Sequence, residues 1–181
     1  MNHSDEEILR LVRSEETRSY GFNVLTRAYQ EKVYWVIRRM VVVHEDSDDL
    51  VQEVFMKVWK SVDGFKGESK LYTWVYRIAV NEALTHLRKK KRRFFVPIVD
   101  VEAELASHID DASCFDGDEV EIKLQKAILN LPEKQRLVFN LKYFEEMKYK
   151  DMSEILKISE GGLKAQYHHA VKKIKKELAI D

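Results

Sequence analysis

The sequence predicts an all-α protein made of two small helical domains joined by a flexible acidic linker. Three observations lead there. Apolar residues recur at three- and four-residue spacing through residues 1–93 and again through 121–181, the period of an amphipathic helix. Gly and Pro number only 6 and 2 in 181 residues, too few for the turns a β-rich fold uses. Between the periodic zones, residues 94–120 lose the pattern; from Val99 to Glu119 there are eight acidic residues and no Lys or Arg.

In chain order, Ile8, Leu9, Leu11 and Val12 predict a short first helix. Phe22, Leu25, Tyr29, Val33, Val36, Ile37 and Met40 predict a long second one, with Met40–Val43 as its buried end. Asp46-Ser47 offers cap residues for a third helix with Asp48 and Asp49 in its first turn, where carboxylates suit the helix dipole. Its apolar face is Leu50, Val54, Phe55, Val58 and Trp59. Gly64 and Gly67 interrupt, and a further helix runs from about Ser69 to Arg92, stopped before Pro97. Beyond the linker, Ile122–Leu131 is one helix and Pro132 suits the first turn of the next, which carries Leu137, Val138, Leu141 and Tyr143. A short helix at about Tyr149–Leu156, a tight Lys157-Ile158-Ser159 connection and a long helix capped by Ser159 complete the chain.

Composition narrows the function classes. Lys+Arg and Asp+Glu balance at 31 each, so net charge names no partner, although the charges are segregated along the chain. One cysteine, Cys114, excludes an internal disulfide and a cysteine-rich zinc site and suits a reducing compartment. The acidic N-terminus is unlike a signal peptide, and no apolar run approaches the ~20 residues that span a bilayer. A bacterial cytoplasmic location is the expectation. No His-Glu-x-x-His, phosphate-binding glycine loop or Gly-x-Ser-x-Gly is present. His168 and His169 are adjacent, so on a helix they point about 100° apart and do not converge on one ion. No enzyme activity, cofactor, metal or small-molecule substrate is therefore expected.

Four patterns carry chemistry, each with a plainer alternative. Two helices joined by about three residues at 149–178 suit a helix–turn–helix, whose second helix would offer Lys164, Ala165, Gln166, His168 and His169 to a major groove and Lys172, Lys173, Lys175 and Lys176 to phosphates. They equally suit an ordinary helical hairpin with a solvated face. Arg88–Arg93 sets six cations side by side, which suits a polyanion or a solvated helix end. Lys70, Arg77, Asn81 and Arg88 form one polar stripe interleaved with Tyr72, Trp74 and Tyr76. Such a stripe suits unpaired bases that stack on rings, but each ring is also a candidate for the core, Trp74 above all. Asn81 offers an amide for a base edge or for a backbone cap. Finally, Asp48, Asp49, Gln52 and Glu53 adjoin apolar residues on the third helix, as a docking face or as an ordinary surface.

Taken together, these segments resemble the extracytoplasmic-function group of the sigma-70 family, the bacterial transcription initiation factors. Asp48–Trp59 looks like region 2.2, Phe65–Asn81 like regions 2.3 and 2.4, and Leu131–Phe139 like the opening of region 4. The resemblance implies a promoter-directing subunit of RNA polymerase: 1–93 as region 2, 94–120 as linker, 121–181 as region 4. It implies that Asp49, Gln52, Glu53 and Phe55 bind the β′ clamp helices of core polymerase. Phe65, Lys66, Gly67, Ser69, Lys70, Arg77, Asn81 and Arg88 would hold the −10 element, with one base flipped into the loop. Flipping costs a few kcal/mol that a snug pocket must return. Lys164, Ala165, Gln166, His168, His169 and Lys172 would read the −35 duplex. The linker would thread the polymerase's RNA exit path, and an anti-sigma factor is an implied partner.

The sequence also departs from its relatives. Lys157 stands where many have Gly at the turn, where a positive φ costs a non-Gly residue roughly 1 kcal/mol. Gln166 and His169 occupy places that often hold arginines, so the −35 preference is the chain's own. A stand-alone helix–turn–helix repressor or activator is the competing expectation. It explains residues 121–181 but leaves the two region-2 strings without a role.

Overall fold

The computed structural model describes residues 3–41, 43–93 and 119–178, with backbone only for 91–93 and 119–122. The expected linker, apart from Glu119 and Val120, and Cys114 lie outside the described residues. Among the described residues there are helices and no strand. In order they are α1 (Asp5–Arg13), α2 (Arg18–Val41), α3 (His44–Ser61), α4 (Leu71–Arg93), α5 (Glu119–Leu129), α6 (Glu133–Tyr143), α7 (Tyr149–Leu156) and α8 (Glu160–Glu177). None is long and apolar enough to cross a membrane.

The first group assembles around α2. Its buried positions Leu25, Tyr29, Val33, Val36, Ile37 and Met40 recur at helical spacing, and α2 contacts α1, α3, α4 and α6. A capping box starts α1: the Glu7 N–H donates to Ser4 Oγ at 3.2 Å and the Ser4 N–H to Glu7 Oε2 at 2.9 Å. That helix buries Ile8 and Val12, and the Tyr29 hydroxyl donates to Asp5 Oδ1 at 2.7 Å. Burial raises the Tyr29 pKa, with Asp5 adding to the effect, so the phenol stays a donor. Gly21 sits where α1 meets α2; a Cβ there would lie 2.6 Å from the Leu11 and Val12 backbone.

Helix α3 begins at His44, two residues before the expected cap. The reason is local. The Ser47 hydroxyl donates back to the Val43 carbonyl at 2.6 Å, so Ser47 is spent inside the first turn and caps nothing. Leu50, Val54, Phe55 and Val58 are buried, and Phe22 meets Phe55 and Trp59 edge-on at 6.4 and 4.9 Å. Helix α4 buries Leu71, Val75, Ala79, Val80, Ala83 and Leu87.

The second group, α5–α8, has a core of Ala127, Ile128, Leu131, Phe139, Ala170 and Ile174. Phe139 stacks on Tyr143 and Tyr167 at 5.1 and 5.8 Å. The buried Arg136 guanidinium donates to the Leu129 carbonyl at 3.0 Å, which closes the α5–α6 corner. Leu137, Val138, Leu141, Met147, Met152, Ile155 and Leu163 join a different cluster, the one that contains the core of α1–α4. The two groups thus share one buried apolar seam, with α7 against α4 and α6 against α2.

The backbone contact at Gly21 yields a test. Alanine is the better helix former by roughly 0.5–1 kcal/mol, yet its methyl would push α1 off α2. Gly21→Ala is expected to destabilise by about 1–3 kcal/mol net, the range for overpacking. A lower denaturation midpoint at unchanged m-value is the readout; a higher midpoint would contradict the close approach.

Candidate nucleic-acid interface

Three surfaces matter, and each is set by a different piece of the fold. The first is the segment between α3 and α4. A short 3-10 turn, Val62–Gly64, ends α3. Two arginines from the start of the chain pin this turn and the loop beyond it. The Arg18 guanidinium donates to Asp63 at 2.8 and 3.1 Å and to the Trp59 carbonyl at 3.3 Å, and stands 4.7 Å over the Trp59 ring. The Arg13 guanidinium donates to the Phe65 carbonyl. Phe65 itself turns inward: it is 5% exposed, with its ring centroid 5.3 Å from that of half-buried Trp74. Gly67 has φ +76° with open space where a Cβ would be, a conformation that glycine adopts without strain.

Lys66, Gly67, Glu68 and Lys70 are exposed, and Ser69 is half-buried. A cleft of about 420 Å³ is lined by Phe65, Lys66, Ser69, Trp74 and Arg77 on one side and by Glu154 and Lys157 on the other. Asn81 lies exposed one turn beyond Arg77, and Arg88 is exposed two turns further. The expected stripe is therefore continuous along α4, but Asn81 does not line the cleft at the loop. Of the interleaved rings, Tyr76 is buried, while Tyr72 and Trp74 are half-buried.

The second surface is the outer face of α3. Asp48, Asp49, Gln52, Glu53 and Met56 are exposed, Met56 by 55%. Phe55 is 7% exposed and packs on Phe22, so its ring supports this face from beneath. Lys57 is paired with Glu82 at 2.5 Å, which ties α3 to α4.

The third surface is α8. Ser159 caps it, accepting from the Gly162 N–H at 3.2 Å. Leu163, Ala170 and Ile174 face inward, while Lys164, Ala165, His168, His169, Lys172 and Lys173 are exposed and Gln166 is half-buried. Lys164 Nζ stands 5.8 Å over the Tyr149 ring. The preceding turn is the left-handed one, with Lys157 at φ 58° and ψ 36°, and its N–H donating to the Ser153 carbonyl at 3.0 Å. Lysine thus adopts the conformation that glycine holds more cheaply. No cluster of metal-ligating side chains occurs among the described residues.

The sequence did not reveal Arg13 and Arg18 as anchors, nor the acids that approach α4 from the second helix group. Glu145 accepts from Arg39 at 2.7 Å and from the Tyr76 hydroxyl at 3.0 Å, and Asp151 accepts from the Tyr72 hydroxyl. Burial and the hydrogen bond to Asp151 push the Tyr72 phenol up to about 12. Burial and Glu145 raise Tyr76 as well. Both phenols therefore remain donors at physiological pH. These pairings span 69 to 106 positions, and nothing in a local pattern signals them.

Two cationic surfaces on separate helix groups suit a protein that touches nucleic acid at two points. Comparison with known proteins makes the class specific. The chain matches the Sigma-70 region 2 family over residues 25–93 and the Sigma-70, region 4 family over residues 121–174. It is 31% identical to the RNA polymerase sigma-H factor of Pseudomonas aeruginosa, over 96% of this chain and 93% of that one. Identity is 30% to the ECF RNA polymerase sigma-E factor of Haemophilus influenzae, covering 97% and 95%. It is 31% to the ECF RNA polymerase sigma factor SigW of Bacillus subtilis, covering 87% and 89%. The fold matches that of the sigma factor RpoE from Bartonella quintana, solved with the anti-sigma factor NepR, at TM-score 0.69 and 22% identity over 88% and 98% of the two chains. It also matches CnrH, solved with the cytosolic domain of CnrY, at TM-score 0.72 and 19% identity over 98% of each. The chain belongs to the extracytoplasmic-function group of the sigma-70 family.

The left-handed Lys157 makes its own prediction. Lys157→Gly is expected to stabilise the chain by about 1 kcal/mol, because glycine removes the steric cost of positive φ. Lys157→Val should destabilise it. Chemical denaturation of the three proteins checks the order, and a glycine variant no more stable than the native chain would show that the turn carries no strain.

Proposed function

We propose that the chain is a promoter-specificity subunit that docks on core RNA polymerase through α3 and contacts promoter DNA at two elements. The observation that carries this reading is the loop after α3. It is pinned by Arg13 and Arg18, opened by Gly67 at φ +76°, and continued along α4 by Arg77, Asn81 and Arg88. Residues 1–93 form the polymerase-docking and −10 unit, 121–181 the −35 unit, and 94–120 the link that raises the effective concentration of one DNA contact once the other is made.

In detail, Asp49, Gln52 and Glu53 form the polymerase-facing surface, with Phe55 packed under it. Lys66, Gly67, Ser69 and Lys70 receive the unpaired −10 strand, Phe65 holding the loop from inside by its contact with Trp74. Arg77 and Arg88 meet phosphates, and Asn81 offers its amide to a base edge. On α8, Lys164, Ala165, Gln166, His168 and His169 face the −35 groove, and Lys172 adds a phosphate contact. The protein acts by recognition and not by chemistry of its own, in the bacterial cytoplasm. It partners an anti-sigma factor, as the Bartonella quintana sigma factor does. A stand-alone repressor reading leaves the exposed acids of α3 and the pinned loop without a task. It would also require dimers on a two-fold operator without polymerase.

The deciding experiment is in vitro transcription with purified core polymerase on a library of genomic fragments. RNA starting at a defined set of sites is expected only when the chain is added. Within that assay Asn81→Ala should lower open-complex formation by about 1–3 kcal/mol, the worth of a well-placed base contact, with core binding intact. Glu53→Lys should impair core capture by reversing a charge at the docking face. Lys164→Ala should weaken binding to a −35 duplex by about 1 kcal/mol; a duplex curve indifferent to that change removes Lys164 from the reading set.

A further inference from the structure

We infer that the acidic edge of the second helix group, Glu145, Asp151 and Glu154, occupies the −10 strand's own binding groove, so that the unbound chain is closed on itself and single-stranded promoter DNA must displace it. The inference rests on the proposed role of the loop and α4, and goes beyond it. A promoter strand brings one negative charge per nucleotide, and the loop and α4 meet it with Lys66, Lys70 and Arg77. In the free chain the groups facing that surface are already carboxylates. Asp151 accepts from Tyr72 at the start of α4, and Glu145 from Tyr76 one turn on. Glu154 shares one cleft with Lys66 and Arg77, and another with Lys70 and Asp151. The seam beneath is apolar, with Met152 and Ile155 in the same buried cluster as Leu71 and Val75. The loop and the acidic edge cannot separate without opening that seam.

The closure is selective. The polymerase-docking residues Asp49, Gln52 and Glu53 stay exposed, as do the −35 residues Lys164, His168 and His169 and, along α4, Asn81 and Arg88. What is covered is the loop end of the −10 surface. The expected order of events is docking on polymerase first, opening second and strand capture last. The polar contacts make the lock reversible. A half-buried pair such as Arg39–Glu145, with side chains 20% and 13% exposed, regains in water much of what it loses on separation.

The test uses the full chain without polymerase. Its probe is a short fluorescein-labelled single-stranded DNA carrying the −10 element of a promoter recovered by transcription. Arg39→Glu sets two carboxylates against each other across the seam. Its added negative charge alone would weaken DNA binding. Opening the groove instead predicts tighter binding, by about tenfold if the closed form is ~90% populated. Adding Glu145→Arg restores the pair with reversed sense and should return the affinity to the native value. A second readout needs no disruptive change: spin labels at exposed Tyr20 and Lys175 in the otherwise native chain should give one short distance alone and a longer population with saturating DNA. Weaker or unchanged affinity in Arg39→Glu, no return in the charge swap, or a distance indifferent to DNA each overturns the closure. If transcription with core polymerase succeeds while these measures fail, the closure falls and the promoter-directing role stands. If transcription fails, the role falls with it.

Discussion

Everything in this molecule is referred to α2. One helix of 24 residues buries a continuous stripe from Leu25 to Met40 and touches α1, α3, α4 and α6. A helix surrounded on so many sides cannot shift without opening several interfaces at once, because protein interiors pack at near-crystalline density. That constraint fixes the positions from which Arg13 and Arg18 reach the loop after α3. Both lie at the α1–α2 corner, where Gly21 allows the backbones to approach closely. A loop whose own residues are exposed and include a positive-φ glycine would otherwise wander. Here its carbonyl end is held by a guanidinium and its aromatic residue is tucked against Trp74. Recognition of a flipped base needs such preorganisation, since ordering the loop at the moment of binding would subtract from the contact energy.

A physical divide separates the legible parts of the fold from the rest. Helices with a clear apolar period and a local stop signal can be read from sequence: Tyr149–Leu156 has the expected bounds, and Ser159 caps α8 as expected, with its hydroxyl on the Gly162 N–H. The start of α3 is not legible in this way. Asp46-Ser47 has the composition of a cap, while the choice between capping forward and bonding back to Val43 depends on the chain before it. The α4 stripe is legible because its spacing is local. Arg13 to Phe65 spans 52 positions, and no period marks a guanidinium that will meet a carbonyl so far along the chain. Phe55 and Phe65 show a second limit. The motif strings contain them, but burial within those strings is decided by tertiary packing, and both rings turn inward.

The seam between the helix groups is the least visible part. Leu137, Leu141, Met152 and Ile155 would be read from sequence as the inner face of the second group alone. In the folded chain they lie in one cluster with α2 and α4. Apolar periodicity says that a face will be covered and is silent about what covers it. The polar groups at the edge of the seam carry the missing information. Glu145 receives Arg39 and Tyr76, and the Asn140 amide donates to the Arg39 carbonyl at 3.3 Å. Hydrogen bonds of this kind contribute little net energy but discriminate sharply against other registers, because an unpaired buried partner costs more than the bond returns.

This balance bears on how a two-point binder avoids premature engagement. If both DNA elements were open in the free chain, cationic surfaces on α4 and α8 would hold it to any duplex by counterion release, with no regard to sequence. An apolar seam with ionic edges avoids that at the loop end of α4 while leaving α3 free to find its protein partner. Opening then depends on something that binds the separated helix groups better than the closed form. A partner shifts such an equilibrium only by its differential affinity for the two states. A large protein surface that engages α3 and also holds α8 at a distance has that property. A single-stranded DNA alone has it only weakly, because it gains the groove but must first displace carboxylates already paired there. Docking before strand capture is thus a consequence of which surfaces the fold leaves exposed.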